Sequence, residues 1–176
     1  IPPARLYDEC VKLFHNEKSY RVFERLLETG LLKHLFQQTS NSKFIKKALN
    51  NTSERLKTNK SVTPAFLFSV FLWDSQNKHF NKFQKRNKSN FVAMHEASEE
   101  VISRQIKQVL MPKWLSARVK DIWMMQHQLE KCSSKKVVDL IANPRFRIAY
   151  DFLVLRSQSI NPELRDRAEY WTQIQK

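Results

Sequence analysis

Apolar residues in the N-terminal third recur at spacings of three and four, the period of an amphipathic helix. A first helix is predicted from Pro3 to about Phe14, and a second ends at Gly30, the residue type best suited to a left-handed C′ position. A short third helix follows over residues 31–36, and Ser42 is predicted to cap a fourth. The predicted inward positions of these helices are Tyr7, Cys10, Val11, Phe14, Tyr20, Phe23, Leu26, Leu27, Ile45, Ala48, Leu49 and Leu56.

The middle of the chain changes abruptly from apolar to polar. Thr63-Pro64 is typical of a helix start, and residues 65–73 are apolar on nearly every side, which predicts a central helix. A strand is the alternative for so short and aromatic a run, but the proline cap and the helical surroundings favour a helix. Residues 74–90 are polar and basic, which predicts a surface helix or a mobile loop carrying Phe80 and Phe83.

The C-terminal half returns to helical periodicity. A long helix is predicted over residues 90–110, and others begin near Pro112, after Lys136, after Pro144 and at Asn161-Pro162. Their predicted inward positions are Phe91, His95, Ser98, Ile102, Ile106, Val109, Leu115, Val119, Ile122, Met125, Leu129, Val137, Val138, Ile141, Phe146, Ala149, Tyr150, Leu153, Leu164, Ala168 and Trp171. The pattern predicts one all-α domain over residues 1–176, with roughly nine or ten helices and no sheet.

Composition narrows the class of protein. One glycine in 176 residues is far below the usual share of about 7%. Phosphate-cradling loops, dinucleotide-binding turns and tight hairpins all need glycine, so nucleotide-binding folds of those types are disfavoured. No apolar run approaches the ~20 residues that a membrane span requires.

Charge points to a polyanionic partner. Lys and Arg total 31 against 17 acidic residues, a net charge of +14. Most of it lies in two stretches, each with a net charge of +5, which are either solvated surfaces or an electrostatic footprint for a phosphate backbone. The first, residues 40–60, carries Lys43, Lys46, Lys47, Arg55, Lys57 and Lys60 against Glu54; the second, residues 78–90, carries Lys78, Lys82, Lys85, Arg86 and Lys88.

Catalytic and metal-binding patterns are missing from the sequence. His95-Glu96-x-x-Glu99 lacks the second histidine of a zinc helix, and neither cysteine neighbours a histidine. No glycine–serine pair is followed by two closely spaced aspartates, the arrangement that holds two Mg²⁺ ions for nucleotidyl transfer. We therefore predict no catalytic site, no metal and no cofactor in this chain. Two cysteines indicate a reducing compartment, the cytoplasm.

Five stretches together resemble one family. IPPARLYDECVKLF at the start, VTPAFLFSVFLW at 62–73, MPKWLSARVKDIW at 111–123, NPRFRIAYDFLVLRSQ at 143–158 and EYWTQIQ at 169–175 are similar to the C-terminal half of bacterial poly(A) polymerases. The resemblance covers the whole chain in the family's order. These enzymes are class II nucleotidyltransferases, related to the CCA-adding enzymes.

The resemblance implies a division of labour along the full-length enzyme. A catalytic head with the glycine–serine and paired-aspartate motif, and a neck that reads ATP, would precede a helical body that binds RNA. This chain, which begins at Ile1 without a methionine, would be that body, so the family's catalytic and ATP-contacting residues cannot be carried over. ATP and Mg²⁺ are implied for the full-length enzyme only. The family's usual arginine-rich tail is missing after Lys176, and the basic stretch at 78–90 matches no family motif that we recognise.

Single-stranded RNA is the partner that charge and resemblance jointly predict, held through backbone phosphates because tailing must accept many sequences. Each candidate contact has a solvated surface charge as its alternative, and Arg147 or Arg156 could instead pair with Asp151. The candidate RNA-binding residues are Lys113, Lys120, Lys135, Lys136, Arg145 and Arg147, with Lys78, Lys82, Lys85 and Arg86 of the second basic stretch. The competing hypotheses are an adaptor that docks RNA-decay proteins and, less favoured, a regulator that binds duplex DNA; oligomeric state stays open.

Overall fold

The computed structural model describes residues 2–36, 39, 42–86 and 89–175, and these form helices without any strand. The all-α prediction is confirmed, with eleven α-helices in the described part of the chain because residues 73–84 are helical rather than a loop. The helices are α1 Pro3–Phe14, α2 Ser19–Glu28, α3 Leu32–Leu35, α4 Lys43–Lys57, α5 Pro64–Phe71, α6 Trp73–Gln84, α7 Asn90–Ile106, α8 Lys113–Lys131, α9 Val137–Ala142, α10 Phe146–Ser157 and α11 Arg165–Ile174. None of these helices is both long and apolar enough to cross a membrane.

The helix ends follow the local signals in the sequence. Gly30, just after α2, has φ +70°, a conformation that a side chain would strain. The Ser42 hydroxyl accepts a hydrogen bond from the Ile45 N–H, and the Thr63 hydroxyl accepts one from the Phe66 N–H. Each cap satisfies a backbone donor that the first turn of a helix leaves unpaired.

Helix α5 is the centre of the larger core. All residues from Ala65 to Phe71 are buried, as the uninterrupted apolar run predicts. Their neighbours are aromatic: the Phe71 ring lies 4.7 Å from that of Phe14 and is stacked on that of Phe23 at 5.9 Å, measured between centroids. The Trp123 indole N–H of α8 donates to the Ser69 carbonyl oxygen at 3.1 Å, so a buried polar group of the indole is satisfied inside the core.

A second, smaller core surrounds Trp171 of α11. It contains Leu129 from α8, Leu140 from α9 and Phe146 from α10. Helices α8 and α10 contribute to both cores, because Trp123 and Phe152 belong to the larger one. These two helices therefore connect the halves of the domain.

The contact between α8 and α10 is built around a buried arginine. Arg156 donates to the Glu130 carboxylate at 2.6 Å and to the Gln126 side-chain oxygen at 3.0 Å, and its guanidinium lies 4.6 Å from the centre of the Trp73 ring. The sequence offered Asp151 as a partner for Arg156; that pairing is wrong, since Arg156 lies five residues further along α10, on a different face of the helix, and contacts α8 instead. Its pKa is lowered by burial, although Glu130 offsets part of this effect.

Three predicted helix faces are wrong in part. Leu27 of α2 is exposed, although it is predicted to face inward, and α7 buries Ser98 and Ile102 as predicted but not its first two positions. On α7, Phe91 is 63% exposed and His95 is exposed, while Ala93, Met94 and Ala97 face inward. The small alanines let α7 approach its neighbours closely, and that packing determines the buried face. On α9, Leu140 is buried and the predicted Val137 packs against the Trp171 core, whereas the predicted Val138 and Ile141 are exposed, because so short a helix turns only one side to that core.

Arg156→Met should lower the free energy of unfolding by about 3 kcal/mol, because it leaves the Glu130 carboxylate half-buried without its cation. Adding Glu130→Gln to that variant should recover part of the loss, whereas Glu130→Gln alone should destabilise the protein. Urea unfolding of the four proteins measures the coupling. If the loss of unfolding free energy in the double variant equals the sum of the losses in the two single variants, the pair does not hold α8 and α10 together.

Candidate nucleic-acid-binding site

A pocket of about 270 Å³ opens where α4, the connection to α5, α8 and the start of α10 meet. Cationic, hydroxyl-bearing and apolar side chains all contribute to its wall. The lining residues are Asn51, Thr52, Arg55, Ser61, Val62, Thr63, Phe66, Arg118, Pro144, Arg145, Arg147, Ile148 and Asp151. With four arginines and one aspartate, the lining carries a net charge of +3.

The wall formed by residues 58–63 depends on a sharp helix ending. Asn59 adopts φ +55°, in which asparagine is better tolerated than most residues, and the Lys60 N–H donates to the Arg55 carbonyl oxygen at 2.8 Å. The Arg55 guanidinium in turn donates to the Ser61 carbonyl oxygen at 3.1 and 3.3 Å. These bonds hold the connection against the end of α4, beside the start of α5.

Two helix N-termini meet at the pocket. The Asn143 side-chain oxygen accepts from the Arg145 N–H at 2.8 Å, which turns the chain into α10 next to Pro144. Thr63 caps α5 on the other side. The positive ends of both helix dipoles therefore lie beside the arginines, an arrangement that favours an anionic ligand.

The arginines keep donor capacity for a ligand. Arg147 contacts the Asp151 carboxylate at 3.4 Å and remains 70% exposed, while Arg145 contacts Asp121 at 3.5 Å and is 38% exposed. Among the described residues Arg118 has no ion pair; its guanidinium lies 5.2 Å from the centre of the exposed Trp114 ring. Each guanidinium has five N–H donors, more than these contacts occupy.

Asp151 is the one carboxylate in the lining. Burial raises its pKa above the ordinary value of 3.8, and the attraction of Arg147 and Arg55 only partly offsets this. The charged form of this aspartate is therefore less favourable in the folded protein than in the unfolded chain. A carboxylate held at a cost to stability inside a cationic pocket is typical of a functional site.

The pocket brings together only part of the predicted set. Arg145 and Arg147 line it, but Lys113 and Lys120 of α8 do not, and Lys120 is paired with Glu99 of α7. Lys135 and Lys136 lie exposed in the 3-10 turn Ser134–Lys136 that follows α8. Their contact with RNA stays a prediction.

The second basic stretch forms an exposed face on α6. Lys78, Lys82, Lys85 and Arg86 are all exposed and none lines the pocket, and Lys88 lies outside the described residues. Phe80 packs against the larger core, so it anchors α6 instead of offering a free ring. Phe83 is half-buried beneath the Arg86 guanidinium, 5.7 Å from it.

Sequence reasoning missed Arg118 and the role of Arg55. Arg55 was counted in a basic cluster but not chosen as a site residue, and Arg118 lies inside MPKWLSARVKDIW. One local signal for Arg118 was available, since Trp114 four residues earlier is an aromatic partner on the same helix face. No local signal indicates that α4, α8 and α10 meet.

The chain is similar to proteins of one family over almost its whole length. Residues 86–176 match a family model described as "Polymerase A arginine-rich C-terminus", and residues 1–43 match one described as "Probable RNA and SrmB- binding site of polymerase A". Poly(A) polymerase I of Salmonella typhimurium and that of Escherichia coli O157:H7 are each 30% identical over 99% of the chain and 40% of their own length. The Haemophilus influenzae enzyme of the same name is 28% identical over 99% of the chain and 41% of its length.

These matches identify the chain as the C-terminal, helical part of a polymerase. The chain belongs to the bacterial poly(A) polymerase family, as its five motifs indicated. It spans about 40% of the length of the curated relatives that it matches.

Asp151→Asn should raise the free energy of unfolding at pH 7, because the variant removes a charge whose burial outweighs its attraction to arginine. Because the pKa of Asp151 is raised in the folded state, its charge costs stability most at pH values above that pKa, where the carboxylate is ionised. The penalty disappears below pH 3.8, where the carboxyl is protonated in both states. Urea unfolding of both proteins at pH 7, 5 and 4 should show the advantage shrinking as pH falls. A less stable variant at pH 7 would show that the Arg147 ion pair dominates.

Proposed function

We propose that this chain binds single-stranded RNA and holds its 3′ region while the rest of a poly(A) polymerase adds adenylate. The observation that carries the proposal is the pocket in which Arg118, Arg145 and Arg147 meet two helix N-termini. The family model over residues 1–43, whose description names RNA, supports it independently.

The chemistry of the pocket suits recognition of the backbone. Guanidinium groups bind phosphate oxygens with two parallel hydrogen bonds, so arginines fix position without reading sequence. The exposed lysines of α6 and of the Ser134–Lys136 turn add long-range attraction. Binding should therefore tolerate many RNA sequences, as a tailing enzyme requires.

The transfer reaction itself belongs, in this proposal, to the part of the relatives that the chain does not cover. ATP and Mg²⁺ would be bound there, and we assign no catalytic residue to this chain. RNA tailing would place the whole enzyme in the cytoplasm.

A second candidate function is docking of a protein partner. The description of the family model over residues 1–43 also names SrmB binding. In that segment Leu27 is 37% exposed and Leu31 is 53% exposed, at the end of α2 and just before α3. Large exposed apolar side chains in this segment fit a surface that contacts another protein.

Titration with a single-stranded oligoadenylate at several salt concentrations tests RNA binding. Affinity should fall linearly on a logarithmic plot, with a slope of about −0.7 for each phosphate neutralised. No binding even at low salt would contradict RNA holding by this chain and favour the docking function. A preference for one duplex DNA sequence would instead revive the regulator hypothesis.

The pair Arg145→Gln and Arg147→Gln should weaken oligoadenylate binding about tenfold and make its salt dependence less steep. The matched control is Lys135→Gln with Lys136→Gln, which removes the same charge from the exposed turn outside the pocket. Equal losses in the two double variants would show that net charge alone, and not the pocket, determines RNA binding.

A further inference from the structure

The pocket differs from an extended surface groove in its small volume. Its volume of about 270 Å³ lies just below the ~300–1,000 Å³ of small-molecule sites, and it well exceeds the ~150 Å³ that encloses a benzene ring. A base with its sugar or phosphate can therefore enter, whereas several nucleotides cannot. The site is the size of one nucleotide.

The residues that line the pocket can contact more of a ligand than its phosphate group. Val62, Phe66 and Ile148 supply apolar surface that a bare anion would not need. Ser61 and Thr63 add polar groups beside them. Apolar wall, polar groups and arginines in one pocket correspond to the base, sugar and phosphate of a nucleotide.

Asp151 limits the ligand further. A carboxylate weakens a site for simple anions, because it repels them and occupies Arg147. It becomes favourable when the ligand also carries a hydrogen-bond donor, since an ionised carboxylate only accepts. Its side chain is 27% exposed, so it is accessible from the pocket. The 2′-hydroxyl of ribose is such a donor, and DNA lacks it.

We propose that the pocket binds a single ribonucleotide unit of an RNA chain, with its phosphate on Arg118 and Arg145 and its 2′-hydroxyl donating to Asp151. This inference rests on the proposed function and deepens it, since it makes Asp151 the residue that distinguishes RNA from DNA. Arg118 is suited to the phosphate because it has no carboxylate partner among the described residues and is held by Trp114.

The first test adds 5′-AMP as a probe to the 176-residue chain and measures its binding from NMR chemical-shift changes. AMP should bind weakly, and 2′-deoxy-AMP about tenfold more weakly, as expected for loss of a hydrogen bond to a charged group. Arg118→Gln should abolish AMP binding, while the charge-matched Arg104→Gln, on α7 outside the pocket, should not. Equal binding of the two nucleotides, or an unchanged Arg118→Gln variant, would overturn the inference.

The second test determines whether the bound nucleotide is free or part of an RNA chain, and whether Asp151 distinguishes RNA from DNA. Asp151→Ala, which offers no hydrogen-bond acceptor, should bind oligoadenylate RNA and the matching DNA with equal affinity, whereas the wild type should favour RNA about tenfold. If the wild type binds AMP but Arg118→Gln binds RNA as tightly as the wild type does, the pocket holds a free nucleotide and not a unit of an RNA chain. If every pocket variant binds RNA with the affinity of the wild type, the pocket has no role in RNA binding, and the proposed function remains.

Discussion

The contact between α8 and α10, built on the buried Arg156, is the constraint on which the rest of the domain depends. Because Arg156 must reach both Gln126 and Glu130, the two helices are held side by side in one register. Arg145, just before α10, contacts Asp121 at 3.5 Å, and Arg156, near the end of α10, contacts Glu130, so the two helices run in the same direction. A shift by one turn would leave a guanidinium buried without a partner, and that cost is several kcal/mol.

The same register assembles the pocket at the other end of the two helices. With α8 and α10 fixed side by side, Arg118 is brought to the start of α10, where Arg145 and Arg147 lie. The buried arginine thus positions the exposed ones. The two kinds of arginine differ in their surroundings: Arg156 is buried and bonded to Gln126 and Glu130, whereas Arg145 and Arg147 contact carboxylates at 3.5 and 3.4 Å.

Local signals predicted most of the fold. Gly30, the Ser42 and Thr63 caps and the wholly apolar α5 depend on neighbouring residues alone, and each is found where the pattern places it. The predictions failed where the signal was not local. The face of α7 is decided by which side the alanines allow neighbouring helices to approach, and the face of α9 by the side, with Val137 and Leu140, that packs on the Trp171 core.

The sequence by itself determined an all-α, strongly basic domain of the poly(A) polymerase family, because helical period, net charge and ordered motifs are properties of the linear chain. The tertiary structure decided which cations act together. Arg55, Arg118 and Arg145 lie far apart in sequence, on or beside three different helices, and only the packing of those helices places them around one pocket. Periodicity reports which side of a helix is buried; it carries no information about which charges another helix brings alongside.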